Sequence, residues 1–345
     1  MKIVSRKLSH LRICLEKKVE MGNTGLENYS FTPNALPEID FAKVDTSVKF
    51  LGKKLKAPIL ISSMTGGTAE GARINKNLAT AAQKIRVAMA VGSQRIAIEN
   101  PKLASTFQVR DVAPNIFLLA NLGAVQLNYG FGIRECRQAA EMIGADALIL
   151  HLNPLQEAIQ PEGNTNFSGL LAKIEKVAKN LTIPLIVKEV SGGISKNAAR
   201  KLLKAGVKII DVAGWGGTNW ALIESLRRGD RLTGQIFSQW GIPTGEAIKQ
   251  CSELSGLTVI GSGGIRNGVE IAKALALGAD LVGVALPLLK PATESSTAVE
   301  KKLRELIFQL KLTMFCTGVR KIKELKGKVV RQVRLGSVRR VGFGE

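Results

Sequence analysis

Eight short runs of near-continuous apolar character constrain this chain more than any other feature. They are PILIS (58–62), VAMAVG (87–92), IFLLANLG (116–123), ALILHLN (147–153), PLIVKEV (184–190), IIDVAG (209–214), TVIGSGG (258–264) and LVGVAL (281–286). A strand with one wet face alternates polar and apolar residues. Runs apolar throughout must be covered on both faces, as in a parallel sheet. Between them lie amphipathic stretches such as KNAARKLLKAG and NGVEIAKALALG, closed by the glycine that commonly stops a helix. Strict alternation over eight units predicts an α/β fold, a single TIM (β/α)8 barrel spanning 57–317. An open doubly wound sheet is the alternative. The count of eight and the glycine or polar residue after every run favour closure. Residues 1–56 form an N-terminal extension, loop-like from GNTGLENYSFTPNALPEIDFAKVD onward, and such a connection in a compact enzyme is often functional. Residues 318–345 form a basic C-terminal tail with nine Lys or Arg against two Glu.

The formal charge of +21 favours anionic partners: phosphates, nucleic acid or acidic lipid. A merely solvated tail competes with a specific role for the basic end. Aromatic residues at 5% are too few for a platform that stacks single-stranded bases, so nucleic acid is not the expected partner. No run is long enough to span a bilayer, and the basic start lacks the apolar region of a secretory signal. Cys14, Cys136, Cys251 and Cys316 are scattered without a CxxC, which suits a reducing, cytoplasmic setting.

Active groups of a barrel gather at the carboxyl ends of its strands. After the first run come Ser63, Met64 and Thr65 with paired glycines, and after the second Ser93, Gln94 and Arg95, an anion-binding set. Asn121 ends the third run, and its amide suits the edge of a heterocycle. The fourth is the densest polar cluster: His151 and Asn153 on one strand face, then Gln156 and Glu157. Glu157 suits a hard cation completed by phosphate and water, or else is a helix first-turn carboxylate. Lys188 inside PLIVKEV is costly unless it meets an anion. A carboxylate such as Glu189 or Asp211 could serve. A ligand anion is favoured, because adjacent strand residues face opposite ways. Thr218 follows the sixth run, and Gly263, Gly264, Arg266, Ala285 and Leu286 follow the last two. Glycine turns there with a helix N-terminus form the usual barrel phosphate site.

In order and spacing, Arg6-Lys7-x-x-His10, SSMTGG, GSQR, ANLG, HLNPLQE, QPEG, VKEV, DVAGWGGTNW and GSGGIRNG resemble the type 2 isopentenyl-diphosphate isomerases over roughly residues 4–320. The resemblance implies FMN held by Ser63, Met64, Thr65, Ser93, Asn121, Lys188 and Thr218, with its phosphate on Gly263, Gly264, Arg266, Ala285 and Leu286. It implies a substrate diphosphate on Arg6, Lys7, Ser93, Gln94 and Arg95, Gln156 beside the reacting carbons, and Mg²⁺ on Glu157. His10 and His151 are candidate catalytic or neighbouring groups. The implied reaction is an allylic proton shift between isopentenyl and dimethylallyl diphosphate, using FMN reduced by NADPH, in a tetrameric or octameric homo-oligomer. Where the family often has a serine, this chain has Ala213. Its end, GKVVRQVRLGSVRRVGFGE, departs from the family's helical continuation. The alternative is an FMN-dependent 2-hydroxy-acid oxidoreductase. That chemistry needs a histidine base beside carboxylate-clamping arginines, and the chain has only His10 and His151 to offer.

Overall fold

The computed structural model describes residues 2–331. Eight parallel strands close into a barrel in sequence order: β1 (Ile59–Ile61), β2 (Ala88–Ala90), β3 (Leu118–Gly123), β4 (Ala147–Leu152), β5 (Leu185–Glu189), β6 (Ile209–Asp211), β7 (Thr258–Gly261) and β8 (Leu281–Val284). β8 pairs back onto β1, with Val282 opposite Ile59. The eight apolar runs are the eight strands, and the expected (β/α)8 barrel is the fold.

Side-chain alternation divides each run between two cores. Ile59, Met89, Leu118, Leu148, Val187 and Val282 face the surrounding helices. Leu60, Ala88, Leu119, Ile149, Ile186 and Leu281 fill the barrel. Both sets are buried, which is why the runs carry no polar alternation. A hairpin of Val48–Phe50 and Lys53–Leu55 plugs the amino end of the barrel. Its Phe50 and Leu55 join the interior cluster, and Phe50 meets Phe117 edge-on at 5.8 Å.

At the carboxyl end the aliphatic filling stops. The next inward positions, by the period of two, are Ser62, Asn121, His151, Lys188, Asp211 and Ser262. On β8 the position is Gly283, where a Cβ would stand 2.5 Å from Ser62 Oγ, and β2 presents Ala90. A polar floor thus lies on an apolar plug.

The extension begins as a helix, Lys2–Glu16, packed near the Trp220–Arg228 helix with His10 edge-on to Trp220 at 5.2 Å. The chain then pairs with the loop after β6: Asn219 N–H donates to Val19 O at 2.8 Å and Met21 N–H to Gly217 O at 3.2 Å. The C-terminal boundary differs from expectation. Residues 318–331 are no free tail, since Val319 and Leu325 are buried and Val329–Arg331 pairs antiparallel with Tyr29–Phe31. Spaced apolar residues anchor this stretch despite its charge. The rest of the basic stretch, 332–345, lies outside the described residues.

Phe50→Ala should lower the unfolding free energy by about 3 kcal/mol, the usual result of emptying a buried aromatic site. A urea titration would read it, with the carboxyl-end cavity left intact.

Candidate functional site

The polar floor opens into a cavity roofed by the N-terminal helix. Arg6, Lys7, His10, Leu11 and Cys14 line it, a spacing that brings one helix face inward. Ser63, Met64, Thr65, Ser93, Arg95, Asn121, His151, Gln156, Glu157, Lys188 and Thr218 line it too, so most of the expected residues converge.

One wall is main chain. A Cβ on Gly263, where φ is +107°, would lie 2.2 Å from Gly214 O, and one on Gly217 would lie 2.3 Å from Gly264 N. Only glycine lets the loops after β6 and β7 meet this closely. Beside them Ala285 caps the Leu286–Glu294 helix, whose positive N-terminal end faces the cavity that Ala285 and Leu286 line. Such close main chain beside a helix N-terminus forms a cradle whose polarity suits a phosphate. Arg266 does not contribute its side chain. The guanidinium donates to Gly264 O and, at 2.8 Å, to Gly216 O, and pairs with Glu20 at 3.0 Å. It braces the glycine loops, and Arg266 is not among the residues that line the cavity. Ser62 Oγ and Asn153 Oδ1 are buried, border the cavity and have no partner among the described residues. Together with the cradle they fit a flat, heteroatom-rich phosphorylated group such as FMN.

Lys188 lines the cavity and also has a carboxylate partner. Parallel register sets it opposite Asp211 on the neighbouring strand, both facing inward. Its Nζ lies 3.4 Å from Asp211 Oδ2 and donates to Glu189 O at 2.9 Å. The fully buried Asp211 accepts from Ser262 Oγ at 2.5 Å. The buried ammonium therefore already has a carboxylate, while still lining the cavity. Glu189 serves its own turn, accepting from Val190 and Ser191 N–H at 2.6 and 2.5 Å, and burial pushes its pKa up. His151 Nδ1 lies 2.8 Å from Asn121 Oδ1, and Asn121 Nδ2 donates to Ser63 Oγ at 2.8 Å. Burial, then the charges of Lys188 and Lys7, hold His151 down at about 4. It is neutral at pH 7, with Nδ1–H donating to the amide.

Glu224 organises the opposite side, and its importance went unread in the sequence. It is fully buried on the Trp220–Arg228 helix. Gln156 Nε2 donates to its Oε1 at 2.9 Å and Arg227 Nε to its Oε2 at 2.8 Å, while His10 Nε2 stands 2.9 Å from Oε1. Burial alone would raise this carboxyl, but His10, Gln156 and Arg227 outweigh it and hold it at about 2. The available signal was a carboxylate among Ala221, Ile223 and Ser225 on a buried helix face. Glu157, in the first turn of the Pro154–Ile159 helix, accepts from Asn153 Nδ2 at 3.0 Å and Asn164 N–H at 2.6 Å. Among the described residues no three His, Cys, Asp or Glu side chains gather as a metal site. A cation at Glu157 would draw its other oxygens from ligand and water.

Arg6, Lys7 and Arg95 form a cationic rim. Lys7 Nζ donates to Ser93 O at 2.8 Å and sits 5.0 Å from the Phe107 ring centre. Burial, then the charge of Arg6, depresses Lys7 to about 7. Gln94 does not reach the rim. It is fully buried in the barrel wall, accepting from Asn121 N–H at 3.0 Å and donating to Ala139 O at 2.8 Å. Ser93 and Arg95 line the cavity, whereas the Gln94 side chain turns into the barrel wall.

A family model for FMN-dependent dehydrogenases matches residues 15–109 and 137–332. An isopentenyl-diphosphate delta-isomerase of Nostoc sp. is 51% identical over 328 residues, 93% of this chain and 94% of its own. That of Rickettsia akari is 47% identical over 333 residues, 95% of this chain and 97% of its own. The chain belongs to the isopentenyl-diphosphate delta-isomerase family. Solved structures share the fold at lower identity. A flavocytochrome b2 mutant with pyruvate bound has a TM-score of 0.69 at 18% identity, covering 100% of this chain and 88% of that one. A mandelate oxidase mutant has a TM-score of 0.65 at 18% identity, covering 94% and 92%.

An anion at the rim would raise the Lys7 pKa from about 7, so binding takes up a proton at higher pH. Affinity for inorganic diphosphate should therefore fall as pH rises above 7, by up to about tenfold per unit. Calorimetry would show this slope in the wild type and a flatter one in Lys7→Arg, since arginine keeps its charge.

Proposed function

We propose that this protein interconverts isopentenyl and dimethylallyl diphosphate by an allylic proton shift, as an FMN-dependent isomerase of isoprenoid biosynthesis. The observation that carries the proposal is the juxtaposition of three rim cations with Gln156, which is fixed to buried Glu224 above the phosphate cradle and the polar floor. Relatives near 50% identity bearing the isomerase name support the same reading.

Each residue then has a role. FMN would be held by Ser63, Met64, Thr65, Ser93, Asn121, Lys188 and Thr218, and its phosphate by the main chain at Gly263, Gly264, Ala285 and Leu286. In its reduced form FMN supplies an electron-rich ring able to hold and return a proton. Lys188, backed by Asp211, presents positive charge to that ring. Arg6, Lys7, Ser93 and Arg95 hold the diphosphate, fixing the allylic carbons at one distance from the floor. Gln156, oriented by Glu224, sits beside those carbons. His10 and His151 complete the polar surround, the latter as a neutral donor. Glu157 would hold a Mg²⁺ that neutralises charge on the diphosphate, and NADPH would supply the reducing electrons. The free thiols of Cys14, Cys136, Cys251 and Cys316 suit a reducing cytoplasm. A homo-oligomer, tetramer or octamer, is a fitting assembly because Leu232, Ile236 and Trp240 stand exposed.

The test is anaerobic incubation of the protein with isopentenyl diphosphate, FMN, NADPH and Mg²⁺, followed by product analysis. Dimethylallyl diphosphate is the expected product, and its absence would overturn the proposal. Lys188→Ala should lose bound FMN, read from the flavin absorbance. Glu157→Gln should keep the flavin and lose Mg²⁺-dependent turnover.

A further inference from the structure

The turn after the Pro154–Ile159 helix folds back upon it. Gly163 lies so close that a Cβ would stand 1.8 Å from Glu157 O. Asn164 is thereby brought between two cavity groups that arrive on different elements. Its main-chain N–H donates to Glu157 Oε2 at 2.6 Å. Its side-chain Oδ1 accepts from Arg95 Nη1 at 2.7 Å and from Gln126 Nε2 at 3.2 Å. Arg95, Gln126 and Glu157 line the cavity, and Asn164 stands behind them. The turn is itself held: Asn128 Nδ2 donates to Asn166 O at 2.8 Å, and Asn166 N–H donates to Tyr129 Oη at 3.0 Å.

Arg95 gains a fixed direction from this arrangement. Its Nε donates to Glu99 Oε1 at 2.7 Å and its Nη1 to Asn164, which leaves Nη2 without a partner among the described residues. A free arginine loses rotamer entropy when it grips an anion, a cost that weakens binding. Two fixed nitrogens settle most of that cost before the ligand arrives.

We propose that Asn164 is a positioning residue for the anionic half of the substrate. Its amide oxygen aims Arg95 at the incoming diphosphate, and its main chain ties that arginine to Glu157. The inference rests on the reading of Arg95 as a diphosphate contact.

Calorimetric titration of the FMN-loaded protein with inorganic diphosphate, together with steady-state kinetics on isopentenyl diphosphate, tests it. In Asn164→Ala the Kd and KM should each rise about tenfold, the scale of one hydrogen bond to a charged group, with kcat much less affected. Asn164→Asp keeps an acceptor for the guanidinium and should restore both constants. If Asn164→Ala does not fold, Asn164→Ser, whose hydroxyl is too short to reach Arg95, gives the same comparison. Wild-type affinity in the shortened variant, or a loss that Asp does not restore, overturns the role of Asn164. Arg95→Ala serves as the control. If it binds diphosphate like the wild type, the reading of Arg95 fails instead.

Discussion

One buried ion pair shapes the upper half of this molecule. Lys188 rides into the barrel on an apolar strand and is almost fully buried at the floor of the cavity. Asp211, its register partner on β6, provides the opposite charge, and Ser262 from β7 holds Asp211 in turn. Losing either charge would strand the other in a poorly solvated interior, a loss of several kcal/mol. Three neighbouring strands thus end in mutually dependent polar groups. The ring they begin continues through His151, Asn121 and Ser63, each satisfied by the next. The ordered floor of the cavity follows from this chain of contacts.

Above the floor the work is divided. The barrel contributes the inward polar ring on its strand ends and the glycine cradle on the loops after β6 and β7. The N-terminal helix contributes Arg6, Lys7 and His10, and the Trp220–Arg228 helix contributes Glu224. Glu224 joins the two regions because His10 comes from the extension and Gln156 from the Pro154–Ile159 helix after β4. Such a site needs its roof in place before the anion is gripped. The roof is anchored by the Lys7 contact to Ser93 and by the pairing of Val19–Met21 with the β6 loop.

Much of this was legible in the sequence. Runs buried on both faces announce themselves by lacking alternation, and glycine pairs after strands announce close approaches of main chain. Features set by direction or register were less legible. The partner of Lys188 depends on how β5 aligns with β6. Gln94 and Arg266 lie inside motifs that point at the cavity, yet their side chains leave it, because loop geometry turns them outward. Glu224 and Asn164 are visible only once distant segments meet. Residues 318–331 were obscured by their charge, although Val319 and Leu325 bury as core residues do.

If the barrel alone holds the flavin, residues 1–16 are needed for the diphosphate and not for the cofactor. The direct measurement is FMN affinity and isomerase turnover in the chain shortened by residues 1–16. The account predicts flavin binding close to that of the full chain, with turnover lost at any concentration of isopentenyl diphosphate. Turnover that survives the deletion would contradict it.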